Sequence, residues 1–264
     1  MYDAFPDLPI VYDNVPAYIN RRDVAFYVDE AHEGGGSALE VGCGTGRILL
    51  PIARAGHTIA GLDASPQMLQ RCEAKVRDEP DAVRRRASLH QGDARSFDLG
   101  RKFDLVIAPF RVVQHLTTID DQLGFLDSVA RHLASGGRFV FDVFNPNFSA
   151  LAAADGTERE DTPETTLPDG RSFRRAGRVN RVRWIDQVSE IELIYYISSN
   201  SGKKVQRHVQ SFEMRWFLRA ELVHLLARAG FGVRSIYGDF DRSPLSDKSP
   251  EQIVCAERVT AAAP

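Results

Sequence analysis

The sequence predicts an α/β protein built on a mostly parallel sheet with helices on its faces, interrupted once by an antiparallel β insertion. Two observations carry this expectation. Short apolar runs alternate with helical stripes from Ala38 to Phe144 and again after about residue 215, the pattern of strand–helix–strand units. Between about 150 and 214 the apolar period changes to two, the period of half-buried antiparallel strands.

The elements follow in order. Residues 1 to about 19 read as an irregular lead-in. Arg21 to Ala31 places Val24, Tyr27, Val28 and Ala31 on one helical stripe, and Gly34-Gly35-Gly36 stops it. Ala38 to Val41 is a short strand, followed by a glycine cluster and a helix over Ile48 to Ala55 that Gly56 ends. His57 to Leu62 is the next strand. Ser65-Pro66 supplies an N-cap and a first-turn proline for a helix with Met68, Leu69, Cys72 and Val76 inward. A third strand ends in His90-Gln91-Gly92-Asp93. Phe103–Phe110 and Gly136–Phe144 are strands of the fully buried type, joined by a helix from Asp120 to Leu133. A polar loop with Gly156, Pro163, Pro168 and Gly170 leads into three alternating segments, 171–184, 188–198 and 203–214. Turns are expected at Ile185–Gln187 and Asn200–Gly202. A helix over Ala220–Ala229 and strands at Gly232–Tyr237 and Gln252–Glu257 close the fold, and the Ala-rich tail 260–264 is expected to fray. The domain organisation is thus residues 1–148 with 215–260 as one domain, and 149–214 as a β-rich insertion over the substrate site or at a dimer interface.

Composition narrows the function classes. The chain has 264 residues, 43% apolar and 26% charged, with a net charge of −3, which is ordinary for a soluble globular protein and argues against binding nucleic acid by general electrostatics. No apolar run is long enough to span a membrane, and the N-terminus lacks a basic segment followed by an apolar one. Cys43, Cys72 and Cys255 are scattered and form no C-x-x-C pair, so neither a disulfide framework nor a metal site is expected. Arginine far outnumbers lysine, as in proteins of GC-rich bacterial genomes. The expected compartment is the cytoplasm, and the expected state a monomer or homodimer.

Ala38–Arg47, ALEVGCGTGR, carries the most chemistry. Gly42, Gly44 and Gly46 lie between a strand and a helix, where a glycine loop lets a ligand approach the backbone and meet helix N–H groups. A dinucleotide fingerprint needs glycine at position 47, which is Arg47, and the G-K-[ST] of a phosphate loop is absent. Asp63 ends the second strand, where a carboxylate can accept both hydroxyls of a ribose. Asp93 ends the third, beside the position of an adenine edge whose amine it can accept from. Three such strand ends in succession on one sheet edge are far more specific than any one of them.

These residues resemble the class I S-adenosylmethionine (SAM) methyltransferases. The resemblance runs through E-V-G-C-G-T-G (40–46), the Asp63 strand end, G-D-A (92–94), F-D-L-V-I-A-P-F (103–110), H-L-A-S-G-G-R-F-V-F-D (132–142) and R-W-F-L-R-A-E-L-V-H-L-L-A-R-A-G-F (215–231), most of the chain. It implies a Rossmann-like seven-stranded sheet of order 3-2-1-4-5-7-6 with strand 7 antiparallel, SAM as cofactor and S-adenosylhomocysteine (SAH) as product. It also implies roles by position. Gly42 and Gly44 approach the methionine part, Glu40 orients the loop, and Asp63 takes the ribose. Ala64 and Met68 pack on adenine, Asp93 and Ala94 bind its amino edge, and backbone at Ala108–Pro109 meets the methionine amine. Met68 reads equally as plain core. The chain is similar in particular to small-molecule N-methyltransferases with a β insertion after strand five, such as glycine and aminosugar N-methyltransferases, through V-Y-D (11–13) and residues 89–103.

The substrate side is drawn from the ends of strands four and five and from the insertion. His115 is placed to act as a general base, or simply to cap. Arg111 is placed to hold an anionic substrate group or to form an ordinary ion pair, and Gln114, Asp142 and Asn145 lie close by in sequence. His208 lies on an insertion strand, and Tyr12 and Arg22 precede the main domain, where they can close over the cofactor or merely pack. Arg174, Arg175, Arg178, Arg181 and Arg183 form a basic strand, for which Glu190 and Glu192 on the next segment are the natural partners. The expected reaction is SAM-dependent methyl transfer to a small molecule, at an amine nitrogen. Transfer to oxygen, or SAM/SAH binding without catalysis, are the alternatives that the same fold supports.

Overall fold

The computed structural model describes residues 4–199 and 204–259; the expected Asn200–Gly202 turn and the 260–264 tail lie outside them. In chain order the first elements are α1 (Leu8–Asp13), α2 (Pro16–Ile19), α3 (Asp23–Gly34), β1 (Ser37–Val41), α4 (Leu49–Arg54), β2 (Thr58–Asp63), α5 (Pro66–Arg77), α6 (Asp81–Arg84), β3 (Ala87–Gln91) and β4 (Phe103–Ala108). After a 3-10 turn, Val112–His115, come α7 (Ile119–His132), β5 (Leu133–Phe144), α8 (Phe148–Ala152), β6 (Arg159–Thr166), β7 (Ser172–Arg183), β8 (Val188–Ser198), β9 (Val205–Arg215), α9 (Arg219–Arg228), β10 (Phe231–Tyr237) and β11 (Glu251–Arg258). The chain forms two compact units: the described residues up to Arg21 with Asn147–Arg215, and Arg22–Pro146 with the residues from Trp216 onward.

The larger unit holds a seven-stranded sheet of order β10-β11-β5-β4-β1-β2-β3. Counting only its own strands and starting from β3, this is 3-2-1-4-5-7-6. β11 runs antiparallel to both neighbours, and the other pairings are parallel. Alternate residues of β4 serve two cores. Leu105 and Ile107 pack with Phe26 and Tyr27 of α3 and Leu49 and Ile52 of α4; Val106 and Ala108 pack with Phe125 and Leu126 of α7 and Leu222 and Leu226 of α9. Both faces are covered, which is why these strands read as continuous apolar runs. The caps form as expected: Ser65 accepts from Met68 N at 3.2 Å, and Pro66 opens α5. The three cysteines are buried and free. Trp216 is buried, and Trp184 is half exposed at the β7–β8 turn.

The smaller unit corrects two expectations. Its sheet has four strands, β6-β7-β8-β9, because the stretch read as a polar loop contains β6. β6 shows no apolar alternation, since nearly all of its side chains are polar and solvated; it exists by pairing its backbone along β7, with two register shifts. The lead-in is also ordered, as α1 and α2. Tyr18 donates no apolar stripe to a sequence reading, but its hydroxyl meets the buried Arg175, which also donates to Asp161 Oδ1 at 2.8 Å. The basic strand is balanced by carboxylates: Arg178 lies opposite Glu192 and donates to it at 2.7 Å, Arg183 binds Glu190 and Glu213, and Arg174 lies 3.6 Å from Glu160.

Candidate active site

The carboxyl ends of β1, β2, β3, β4 and β5 bring the site residues of the larger unit to one edge of its sheet. After β1 the chain turns under the end of β2, where the N–H groups of Gly42 and Cys43 both donate to Leu62 O, at 2.7 and 3.0 Å. Gly42 has φ +75°, and a Cβ there would lie 2.4 Å from Val112 Cγ2. Gly44 has φ +52°, and a Cβ there would meet nothing within 4 Å. The loop therefore needs left-handed backbone at both positions, and at Gly44 it leaves space that a side chain would fill.

Asp63 ties this loop to the end of β2. Gly44 N donates to Oδ2 at 2.7 Å and Ser65 N to Oδ1 at 2.8 Å. Backbone donors thus fix the orientation of the carboxylate, and each oxygen keeps acceptor capacity for a hydroxyl. Ala64 beside it is exposed, and Met68 is buried within the first turn of α5. Asp93 follows β3 and carries Arg95, whose backbone N and Nε both donate to its Oδ1 at 2.9 Å. The guanidinium holds the Asp93 carboxyl below its usual range. Ala94 packs against the core.

The end of β4 is the strained part of the edge. Pro109 is buried, and Phe110 and Arg111 have φ +58° and +68°, a region that non-glycine residues avoid. The 3-10 turn follows at once and ends on the half-buried His115. Arg111 donates to the buried Glu251 at 2.9 Å and lies over the Phe144 ring. Its charge is thus largely answered within the unit. Gln114 accepts from Phe144 N at 2.9 Å. Asn145 donates to Ser246 O and Ser249 O, so it braces the loop before β11. Asp142 is fully buried in β5 and accepts from Tyr27 Oη at 2.6 Å and Phe110 N at 2.8 Å.

Below the glycine loop sits Glu40, 3% exposed, with Oε2 buried and lacking a hydrogen-bond partner. Burial pushes its carboxyl well above the ordinary range; Arg47 opposes this, and Asp63 and Asp23 add to it. Arg47 makes a bidentate pair with Asp23, both bonds at 2.6 Å, and lies over the Phe110 ring. A folded-state pKa above the unfolded one means that the native state holds the extra proton. The Glu40 contribution to stability is full below the ordinary carboxylate pKa and is lost as pH rises through the raised one. Glu40→Gln is therefore expected to flatten the decline in thermal midpoint above about pH 4.5, read by calorimetric scans from pH 4 to 9. Identical slopes for the two proteins would refute a neutral Glu40.

Arg22 stands at the start of α3 with no capping bond from its side chain, and pairs at the surface with Asp239 at 2.6 Å. Tyr12 and His208 belong to the smaller unit, where Tyr12 lies against Tyr18 and His208 stacks on Phe5 with ring centroids 4.5 Å apart. Sequence reading missed Asp23 and Tyr27 as polar partners of the site, because both sit on what reads as a plain amphipathic helix. Arg47 was visible only as the residue that breaks the dinucleotide fingerprint. No group of three or more His, Cys, Asp or Glu among the described residues could hold a metal ion.

A family model described as a methyltransferase domain matches residues 38–137. The dTDP-3-amino-3,4,6-trideoxy-alpha-D-glucopyranose N,N-dimethyltransferase of Streptomyces venezuelae is 30% identical over 216 residues, 82% of this chain and 84% of that protein. The SAM-bound structure of CalS10, an amino pentose methyltransferase from Micromonospora echinaspora involved in calicheamicin biosynthesis, matches with a TM-score of 0.66 and 25% identity over 90% of each chain. The CcbJ methyltransferase from Streptomyces caelestis shares the fold, with a TM-score of 0.75 and 22% identity over 95% of each chain. The chain belongs to the class I SAM-dependent methyltransferases, in the group of small-molecule N-methyltransferases related to aminosugar enzymes. It is an enzyme that transfers a methyl group from SAM to a small-molecule acceptor. Its residues fit that cofactor: the open space at Gly44, the oriented carboxylate of Asp63 and the orphaned Oε2 of Glu40 lie together where the loop meets β1 and β2.

Proposed function

We propose that the acceptor is the amine of an amino sugar, free or carried on a nucleotide. Similarity to the dTDP-aminosugar dimethyltransferase over four-fifths of the chain carries this reading. The chemistry of the edge supports it. Asp63, Asp142 and the nearby Glu251 are each engaged by hydrogen-bond donors, an arrangement suited to a nucleophile that needs no strong base. An amine need only be neutral to attack, whereas a sugar hydroxyl must give up its proton in the transition state.

In this reading Asp63 accepts the ribose hydroxyls, and Asp93, shared with Arg95, accepts from the adenine amine. Ala64, Met68 and Ala94 border the base. Backbone at Gly42, Gly44 and Ala108–Pro109 holds the methionine part, with Glu40 beneath the loop. SAM, when bound there, supplies a methyl group already activated by the sulfonium charge. The protein's own work is alignment of donor and acceptor and exclusion of water. His115 takes the proton that the acceptor amine releases. Three free cysteines fit a reducing compartment, the cytoplasm.

The test is methylation of a matched panel, dTDP-amino sugars beside their hydroxyl counterparts, read by SAH release and product mass. Methylation of the amines, with His115→Ala costing less than about tenfold in kcat/KM, is the expected result, because a base essential to transfer contributes about 10²–10⁴. Methylation of the hydroxyl compounds alone, with a loss above a hundredfold in the variant, would replace the amine by an oxygen acceptor. SAH binding with no turnover on any member of the panel would overturn the amino-sugar acceptor.

A further inference from the structure

We propose that Tyr27 and Asp142 are positioning residues that hold the end of β4 in the shape the cofactor needs. The inference rests on the reading that Ala108–Pro109 meets the methionine end of SAM. Three observations point to it. Phe110 and Arg111 are consecutive non-glycine residues in left-handed backbone, a conformation that such residues avoid and that persists only where its surroundings impose it. The Phe110 N–H, the first amide of that turn, is gripped at 2.8 Å by Asp142 Oδ1. The same oxygen accepts at 2.6 Å from the Tyr27 hydroxyl, and both side chains are fully buried.

The contacts join three segments: α3 gives the hydroxyl, β5 the carboxylate and the turn after β4 the strained amide. A buried carboxylate is costly unless it is fully hydrogen-bonded, and here its donors include the amide of the first of the two left-handed residues. Asp142 Oδ1 is thereby committed to these two donors. The Arg47 guanidinium over the Phe110 ring connects the same turn to the glycine loop. A shift of Phe110 would move both backbone segments that flank the methionine part.

The experiment uses Tyr27→Phe, Asp142→Asn and Asp142→Ala in the full chain, with SAH titrated by calorimetry, SAM kinetics and a thermal scan on each. Tyr27→Phe removes one hydroxyl from a site that otherwise keeps its shape. It is expected to raise the SAH Kd and the KM for SAM about 3- to 10-fold, the effect of one lost hydrogen bond, with kcat nearly unchanged. Asp142→Asn keeps a carbonyl acceptor for Phe110 N–H and is expected to weaken SAH less than Asp142→Ala. If Asp142→Ala fails to fold, Tyr27→Phe alone still decides. Lower thermal midpoints with an SAH Kd within twofold of the parent would show a purely structural pair and overturn the proposal. Failure of the parent itself to bind SAH would overturn the cofactor reading, and this inference with it.

Discussion

Asp63→Ala is expected to weaken SAH binding by about 1–3 kcal/mol, roughly 5- to 150-fold in Kd, the range for a lost hydrogen bond to a charged group with its partners left unpaired. The substitution acts twice. It removes the acceptor proposed for the ribose hydroxyls, and it releases Gly44 N and Ser65 N, the two donors that now anchor the loop and the start of α5 to the end of β2. Asp63→Asn retains one carbonyl acceptor and should lie between the variant and the parent. Calorimetric titration of the three proteins with SAH is the check. Equal affinities across the series, with folding confirmed by circular dichroism, would remove Asp63 from the cofactor site.

Arg47→Met should produce the largest loss of stability, about 3–5 kcal/mol, because it leaves a buried charge without its partner. Asp23 is completely buried and receives two 2.6 Å bonds from the Arg47 guanidinium, which is itself largely covered. The cation also offsets the burial of Glu40. A loss of that size is a large share of the roughly 5–15 kcal/mol that holds an ordinary domain folded. Urea unfolding followed by fluorescence would measure it. Asp23→Asn combined with Arg47→Met should recover much of the loss, since the uncompensated carboxylate is then gone. No recovery in the double variant would mean that Arg47 acts through packing on Phe110 rather than through the ion pair.

Both predictions show where sequence reading stopped. Asp63 was legible because its meaning depends on local pattern: a carboxylate at the end of an apolar strand, a short distance after a glycine loop. Arg47 was legible only as the wrong residue for a dinucleotide fold. Its partner lies 24 residues earlier, on a helix whose polar positions look alike in sequence. Tyr27 and Asp142 are 115 residues apart, and nothing in either local pattern names the other. The basic strand was read through its opposite carboxylates, and Glu192 sits across from Arg178 as the hairpin register requires. Glu160 and Asp161 escaped that argument because the strand carrying them had been read as a loop.

By itself the sequence determined the order of the core strands and helices, since each depends on apolar period, caps and glycine placement within a few residues; the seven-stranded order was implied by the family resemblance, and the sheet has it. Tertiary structure decided the rest. β6 forms because β7 offers its backbone an edge, not because its own side chains bury a face. The left-handed turn at Phe110–Arg111 has its first amide held by a buried carboxylate of β5, 32 residues further on. Arg111, which sequence offered to a substrate anion or to an ordinary ion pair, meets Glu251, 140 residues further on. Such pairings are set by long-range packing of hydrogen-bonding groups that must be satisfied once buried, and no local pattern encodes which distant partner will satisfy them.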